Sequence, residues 1–363
     1  MRDTVEFPGL VINGRFLTQR LTGVQRFAGE ITRALDAMAA EGRLPGARLL
    51  LPAGASSPFA HIPAEPGKLR GQAWEQLELP LRARGGVLLN LGNTAPLASG
   101  RAQAVVIHDA GAFDTPESYS TAFRAWYRGL HHALPRVGAR LVTVSEFSRG
   151  RIAHHLRIDP GRIAVMPESG EHILRETPDP AVLAKHGLDA GRFALVVGTR
   201  AAHKNLGGLG DAAGLLGAHG MKLAVAGAAD PAVFRAETGP AGAHVALLGR
   251  VSDAELRSLY GAALCLIFPS RYEGFGLPPI EAMSCGCPVV AADAASLPEV
   301  CGEAALWFDT EGPRRLADAL ARLVTEPGLA AHLAVAGRAR AAGFTWRGAA
   351  ERLLSLLPMD RMR

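Results

Sequence analysis

Short apolar runs recur along this chain, and longer stretches of helical period separate them. Such an alternation leaves few folds open. The runs fall at 10–13, 47–51, 87–90, 104–107, 141–145 and 163–166, and again at 193–197, 222–226, 245–248, 264–268 and 288–291. Between them, 24–38, 122–134 and 316–324 repeat their apolar residues at helical spacing. Strand and helix in regular succession predict parallel sheets covered by helices on both faces. The succession occurs twice, and 363 residues suffice for two domains. The polar, Pro- and Gly-rich stretch 168–180 marks the break between them. The expected organisation is an α/β chain with a first doubly wound domain over 1–170 and a second over 171–345. A final helix within 346–363 has no strand after it and is expected to pack across the junction.

Composition fits a soluble globular chain, with 48% apolar and 20% charged residues. No run of about 18 uncharged apolar residues occurs, so no membrane-spanning helix is expected. The N-terminus MRDTVEFPGL has no apolar run ahead of a cleavage site, so a secretory signal is not expected either. Cys265, Cys285, Cys287 and Cys301 lack the paired spacing of a zinc site and read as buried reduced thiols, which suits the cytoplasm. The net charge of +5 sits unevenly. Residues 1–172 hold 20 Lys and Arg against 15 Asp and Glu, whereas the remainder balances at 19 and 19. A basic surface suits nucleic acid, but no helix-turn-helix, zinc-finger or ribonucleoprotein pattern accompanies it. An anionic lipid surface or a phosphate-bearing acceptor fits better.

In open parallel sheets ligands bind beyond the carboxyl ends of the strands. The loops that follow strands are therefore where chemistry is expected. The strongest of them is 271–281, RYEGFGLPPIE, which leads into a helix starting near Pro278. Gly274 and Gly276 permit close approach of a ligand to the backbone. A helix N-terminus there favours an anion such as a diphosphate. Glu273 and Glu281 suit a polyhydroxyl ligand, because each carboxylate accepts from vicinal hydroxyls. An ordinary strand–turn–helix with two solvated glutamates is the plainer alternative.

A second loop, 197–206, VGTRAAHKNL, gathers Arg200, His203 and Lys204 just before a helix. Cations placed there would stabilise charge on a departing diphosphate; a solvated basic loop is the alternative. Gly208, Gly210 and Ala213 imitate a dinucleotide fingerprint, but the glycines are not in a strand-to-helix turn. In the first domain, LTGVQRF offers Gly23, expected to allow a tight loop, and Arg26. VIHD ends a strand with His108 and Asp109. Trp74-Glu75-Gln76 and the turn 90–96 read equally as cleft wall or as packing. Ser145 and Glu146 read as a cap for the next helix.

The segment FPSRYEGFGLPPIEAMSCGCPVVAADAASLPEV resembles the signature of glycosyltransferase family four, with its Glu-x7-Glu motif. The resemblance runs from about residue 11 to 357 and is densest in the second domain. It implies the GT-B fold, two Rossmann-like domains facing a central cleft, and retaining transfer of a sugar from a nucleotide diphosphate. It implies that Glu281 holds the donor ribose and that Glu273 contacts sugar hydroxyls near the reacting carbon. The backbone of Gly274, Phe275, Gly276 and Leu277 would bind sugar and phosphate oxygens. In the family the basic loop commonly reads Gly-x-x-x-x-Arg-Lys-Asn. Lys204 and Asn205 match it, while His203 stands where Arg is frequent and Arg200 is offset. Gly23 and Arg26 match a Gly-Val-x-Arg segment on the acceptor side, and His108 with Asp109 match a His-Asp pair beside the donor sugar. The N-terminal motifs resemble the bacterial mannosyl- and rhamnosyltransferase-like members, which implies glycan or lipid-linked acceptors in polysaccharide biosynthesis.

No Asp-x-Asp triplet occurs in the chain, so the expectation is a metal-independent transferase without a cofactor, cytoplasmic or peripheral on the inner face of the plasma membrane. The helical stretch FRAWYRGLHHALPRVGAR supplies aromatic and basic residues for such a surface, or equally a core helix with a basic face. A phosphorylase, a nucleotide-sugar epimerase, a non-catalytic nucleotide-sugar binder and a nucleic-acid module are the competing readings.

Overall fold

A computed structural model describes residues 9–198, 201–227, 244–311 and 315–357. The chain forms two compact units. The first runs to Glu168 and takes back the chain from Trp346; the second spans Ser169–Thr345.

The first unit is built on a seven-stranded sheet of β1 (Leu10–Asn13), β2 (Arg48–Leu51), β3 (Ala64–Pro66), β4 (Val87–Asn90), β5 (Gln103–Val106), β6 (Arg140–Thr143) and β7 (Ile163–Val165), in the order β3-β2-β1-β4-β5-β6-β7. The second holds six strands, β8 (Phe193–Gly198), β9 (Lys222–Gly227), β10 (Val245–Gly249), β11 (Cys265–Phe268), β12 (Val289–Ala292) and β13 (Ala305–Phe308), in the order β10-β9-β8-β11-β12-β13. Every pairing is parallel. Central strands such as β1, β4, β11 and β12 are buried at every position. Helices on both faces leave them no solvent side.

Strand order reverses between β1 and β4 in one sheet and between β8 and β11 in the other. Loops that leave adjacent strands in opposite directions open a crevice at such a switch point. The Lys204 and Glu273 loops follow β8 and β11.

The apolar runs picked out in the sequence do not include β3 and β13. β3 reads Ala-Glu-Pro at an exposed edge, with no apolar run to announce it. β13 follows a short 3-10 turn, Gly302–Ala304, and only its two ends are buried.

The last helix, Trp346–Ser355, packs on the helix Gly23–Ala40 of the first unit. Trp346 meets Phe27 edge-on at 5.9 Å, and both rings are buried. Arg347–Glu41 and Arg43–Glu351 pair on the outside at 2.6 and 2.9 Å. Exposed pairs contribute little, so the buried aromatic contact anchors the helix.

All four cysteines are unpaired and lie in the second unit; Cys285 is half-buried and the others are buried. Burial pushes the Cys265, Cys285 and Cys301 thiols up to about 12. No helix among the described residues is long and apolar enough to cross a membrane.

Candidate active site

In the second unit, the chain leaves β8 and tightens into a 3-10 turn, Ala202–Lys204. Asn205 then turns left-handed at φ 53°. Beside it, the loop after β11 is tied back to this turn, because the Arg271 amide donates to the His203 carbonyl at 2.8 Å. Lys204 Nζ donates to Glu273 Oε1 at 2.6 Å and lies 5.6 Å from the centre of the Phe268 ring. The geometry thus brings together two residues 69 positions apart. An ammonium has three donors, so Glu273 orients Lys204 without using it up.

A third loop locks the second. Ser296, buried in the connection that follows β12, shares its hydroxyl proton between the carbonyls of Glu273 (3.1 Å) and Phe275 (2.9 Å). Gly276 has φ 103°, and a Cβ there would stand 2.8 Å from Leu297 Cδ2. Both the backbone and the space require glycine. The helix Leu277–Ser284 starts at the next residue, with Gly274, Phe275 and Leu277 buried around its entrance. Pro278 and Pro279 carry no N–H. The anion donors at this helix end are therefore narrowed to the backbone amides outside the two prolines. Ser270 in the same loop is buried, and among the described residues its hydroxyl has no hydrogen-bond partner.

Glu281 sits one turn into that helix and is only 7% exposed. Tyr260 donates its hydroxyl to Oε2 at 2.9 Å, and His172 Nε2 lies 3.0 Å from Oε1. A carboxylate has about four acceptor directions, and these two contacts fix its plane. Burial, reinforced by the Glu281 charge, raises the Tyr260 phenol well above its ordinary value. It therefore stays a donor. Gly170 makes the His172 contact feasible: a Cβ on it would stand 2.5 Å from the Ile280 carbonyl carbon and 2.6 Å from the Glu281 nitrogen.

In the first unit, His108 follows β5 and is buried. Its Nδ1 lies 3.0 Å from Glu168 Oε1 and its Nε2 3.1 Å from the Leu91 carbonyl. Its amide donates to Asn93 Oδ1 at 2.7 Å, and its carbonyl accepts from Ser148 Oγ at 2.9 Å. Burial opposes the charged ring, but the hydrogen bond and charge of Glu168 outweigh it, and His108 titrates above the ordinary histidine value. Two acceptors facing both ring nitrogens favour the imidazolium. Asp109 turns back on its own loop, with Oδ1 accepting from the Gly111 amide at 2.7 Å.

Gly23 does not carry the expected tight loop. It is the first residue of the helix Gly23–Ala40, and its φ is not positive. A separate 3-10 turn, Gly14–Thr18, makes the reversal after β1. Arg26, half-buried in the first helical turn, has its amide on the Thr22 carbonyl at 2.9 Å. Trp74 belongs to an apolar cluster with Val11, Leu50 and Leu88. Glu75 is buried and accepts from Asn13 (3.0 Å), Thr94 (2.9 Å) and Arg15 (3.1 Å), which ties the loops after β1 and β4 together. Ser145 caps the helix Glu146–Leu156 by accepting from the Ser148 amide at 3.0 Å. Arg200 lies outside the described residues. Sequence reasoning gave no role to Tyr260, His172 or Glu168, which stand outside the motif of the residue each holds, and it named Ser296 and Asn93 only as parts of the quoted segment and of the turn 90–96.

Residues 181–340 match the family described as Glycosyl transferases group 1. The chain is 34% identical over 252 residues to the O-antigen chain mannosyltransferase B of Escherichia coli, covering 66% of this chain and 65% of that protein. A D-inositol 3-phosphate glycosyltransferase of Corynebacterium diphtheriae is 42% identical over 104 residues, or 28% of this chain and 24% of that one. The chain thus spans less than two thirds of either relative. Among solved structures, WaaG, a glycosyltransferase involved in lipopolysaccharide biosynthesis, superposes with a TM-score of 0.67 at 17% identity over 96% of this chain and 99% of its own. Anabaena HepE, solved with UDP and glucose, gives 0.72 at 17% identity, with the same coverage. The fold is the GT-B fold, and residues 181–340 are similar to the Glycosyl transferases group 1 family.

Proposed function

We propose that the protein is a glycosyltransferase that moves a hexose, mannose- or rhamnose-like, from a nucleotide-diphosphate sugar to a glycan or lipid-linked glycan in polysaccharide biosynthesis. The observation that carries this reading is the Lys204–Glu273 pair on the two loops at the second sheet's switch point. A cation and a carboxylate side by side suit a substrate that is anionic at one end and polyhydroxylic at the other. The mannosyltransferase relative supports the sugar class. HepE, solved with UDP, supports the nucleotide.

In this reading Lys204, with Arg200, Asn205 and the backbone of Gly274–Leu277, takes the diphosphate. Glu281 takes the ribose hydroxyls. Glu273 orients the sugar and stabilises positive charge at its anomeric carbon. Transfer retains configuration by same-face substitution. The bond from anomeric carbon to phosphate oxygen breaks, the acceptor oxygen bonds to that carbon, and its proton passes to the departing phosphate. The cations and backbone amides serve where other glycosyltransferases use a metal. His108, Asp109, Gly23 and Arg26 belong to the acceptor side or to the donor sugar's edge. In the first unit a cavity of about 650 Å³ beyond β1 and β2, lined by Arg15, Gln19, Ser56 and Arg70, is roomy enough for a saccharide.

The test is a panel of nucleotide sugars incubated with the protein and glycan acceptors in excess chelator, scored for transfer and slow hydrolysis. One sugar nucleotide should be consumed with the anomeric configuration kept. Activity that vanishes under chelator and returns with magnesium or manganese overturns the cation mechanism. Turnover that needs inorganic phosphate, or proceeds without acceptor, replaces it with a phosphorylase or an epimerase.

A further inference from the structure

The first sheet carries a second concentration of charge at its opposite edge. Parallel register sets Ala104 beside Arg140 and Leu141 beside Ile163, so the amino ends of β5, β6 and β7 lie in a row. Each of these strand starts brings an arginine. Arg101 stands two residues ahead of β5, Arg140 opens β6, and Arg162 immediately precedes β7. All three line one cavity of about 480 Å³, floored by Leu141 and Ile158 and walled by Leu356.

The cavity is built around these side chains. Gly138, at φ +84°, leaves space for the stem of Arg101: a Cβ there would stand 2.6 Å from its Cγ and 3.2 Å from its Nε. Among the described residues none of the three guanidinium groups pairs with a carboxylate. The nearby Asp159 turns back on its own loop, its Oδ1 accepting from the Gly161 amide at 2.9 Å. Like charges gathered at one rim repel, and a bound oxyanion would relieve that repulsion. The loops that carry Lys204, Glu273 and His108 follow the carboxyl ends of their strands, so this pocket, at the amino ends, is distinct from each of them.

We propose that this pocket is a binding site for a phosphate group. Guanidinium forks match phosphate oxygens bidentately, and the apolar floor suits the organic part of a phosphate ester. The group comes either from a soluble phosphate compound or from a lipid headgroup.

The experiment follows the thermal midpoint of the full chain against inorganic phosphate and glycerol 3-phosphate. In parallel, the protein is sedimented with phosphatidylglycerol and with phosphatidylcholine vesicles. Each arm compares wild type with R101Q/R140Q/R162Q, with the single R101Q, and with K204A as a control for the candidate donor loop. The triple variant should bind at least about tenfold more weakly, since each charge-assisted bond contributes that much. R101Q should lose part of the affinity, and the part that depends on the three arginines should persist in K204A. Arginine dependence in the soluble arm identifies a soluble phosphate compound. Dependence only with phosphatidylglycerol identifies a headgroup. If the triple variant matches wild type in both arms, or if K204A alone removes the effect, the pocket does not bind phosphate. R101Q keeps the test valid if the triple variant does not fold.

Discussion

At the scale of single residues, the second unit depends on a few polar contacts between loops. Lys204→Ala should weaken a nucleoside diphosphate by roughly 1.5–3 kcal/mol, the range for a charge-assisted hydrogen bond, while a nucleoside without phosphates binds as before. Calorimetric titration of both ligands separates the outcomes: an equal loss for each signals a disturbed fold instead of a lost diphosphate contact. Lys204 and Glu273 stood out in the sequence as candidates because each sits in a loop that follows a strand, and Glu281 because it stands eight positions after Glu273, one turn into the next helix. Their holders did not. Tyr260 and Ser296 reach the site from another helix and another strand connection, 21 and 23 positions from their partners. Single-chain spacing does not encode such tertiary neighbours. Gly23 shows the opposite error. A glycine in a motif invites a turn, yet here the backbone is helical and the reversal is made by residues 14–18.

At the scale of elements, the helix Thr121–Ala133 supports the first unit's loop through His131. Its Nε2 donates to the Asn93 carbonyl at 2.9 Å, and Asn93 in turn accepts from the His108 amide. Burial lowers the His131 ring to about 4. In the unfolded chain an ordinary histidine titrates near 6.5. Between those values the unfolded state binds more protons, so stability is whole above pH 6.5 and falls as pH drops to about 4, by roughly 3 kcal/mol. His108 has the opposite sign. Its raised value adds stability below pH 6.5 that is lost as pH climbs through its folded pKa. His131→Gln retains a donor but cannot titrate, so its urea midpoint should change less than wild type between pH 7 and pH 4.5. An identical acid slope removes His131 as the cause. The central strands were legible as apolar runs because both faces are covered. Of the four edge strands, β7 and β10 were legible as apolar runs and β3 and β13 were not; β3, Ala-Glu-Pro, has no apolar run to announce it.

At the scale of the whole molecule, the basic excess lies in residues 1–172. The same helix exposes Trp126 at 42%, while Arg128 is committed inward to the carbonyls of Ala112 (3.0 Å) and Phe113 (3.3 Å). Part of the charge expected to meet a membrane therefore serves packing. Peripheral association remains our proposal for lipid-linked acceptors. Sedimentation should show binding to anionic vesicles at low salt, lost at high salt and weakened by Trp126→Ala; indifference to lipid charge would falsify it. Another whole-molecule consequence comes from where the thiols lie. A thiol pushed up to about 12 is ionised in roughly one molecule in 10⁴–10⁵ at neutral pH, against several per cent for a free cysteine. Iodoacetamide should thus leave the native chain unlabelled and mark it only as the second unit opens. The first unit, having no cysteine, stays silent. Labelling rate against denaturant becomes a clock for one half of the molecule, and a nucleotide that occupies that half should slow it.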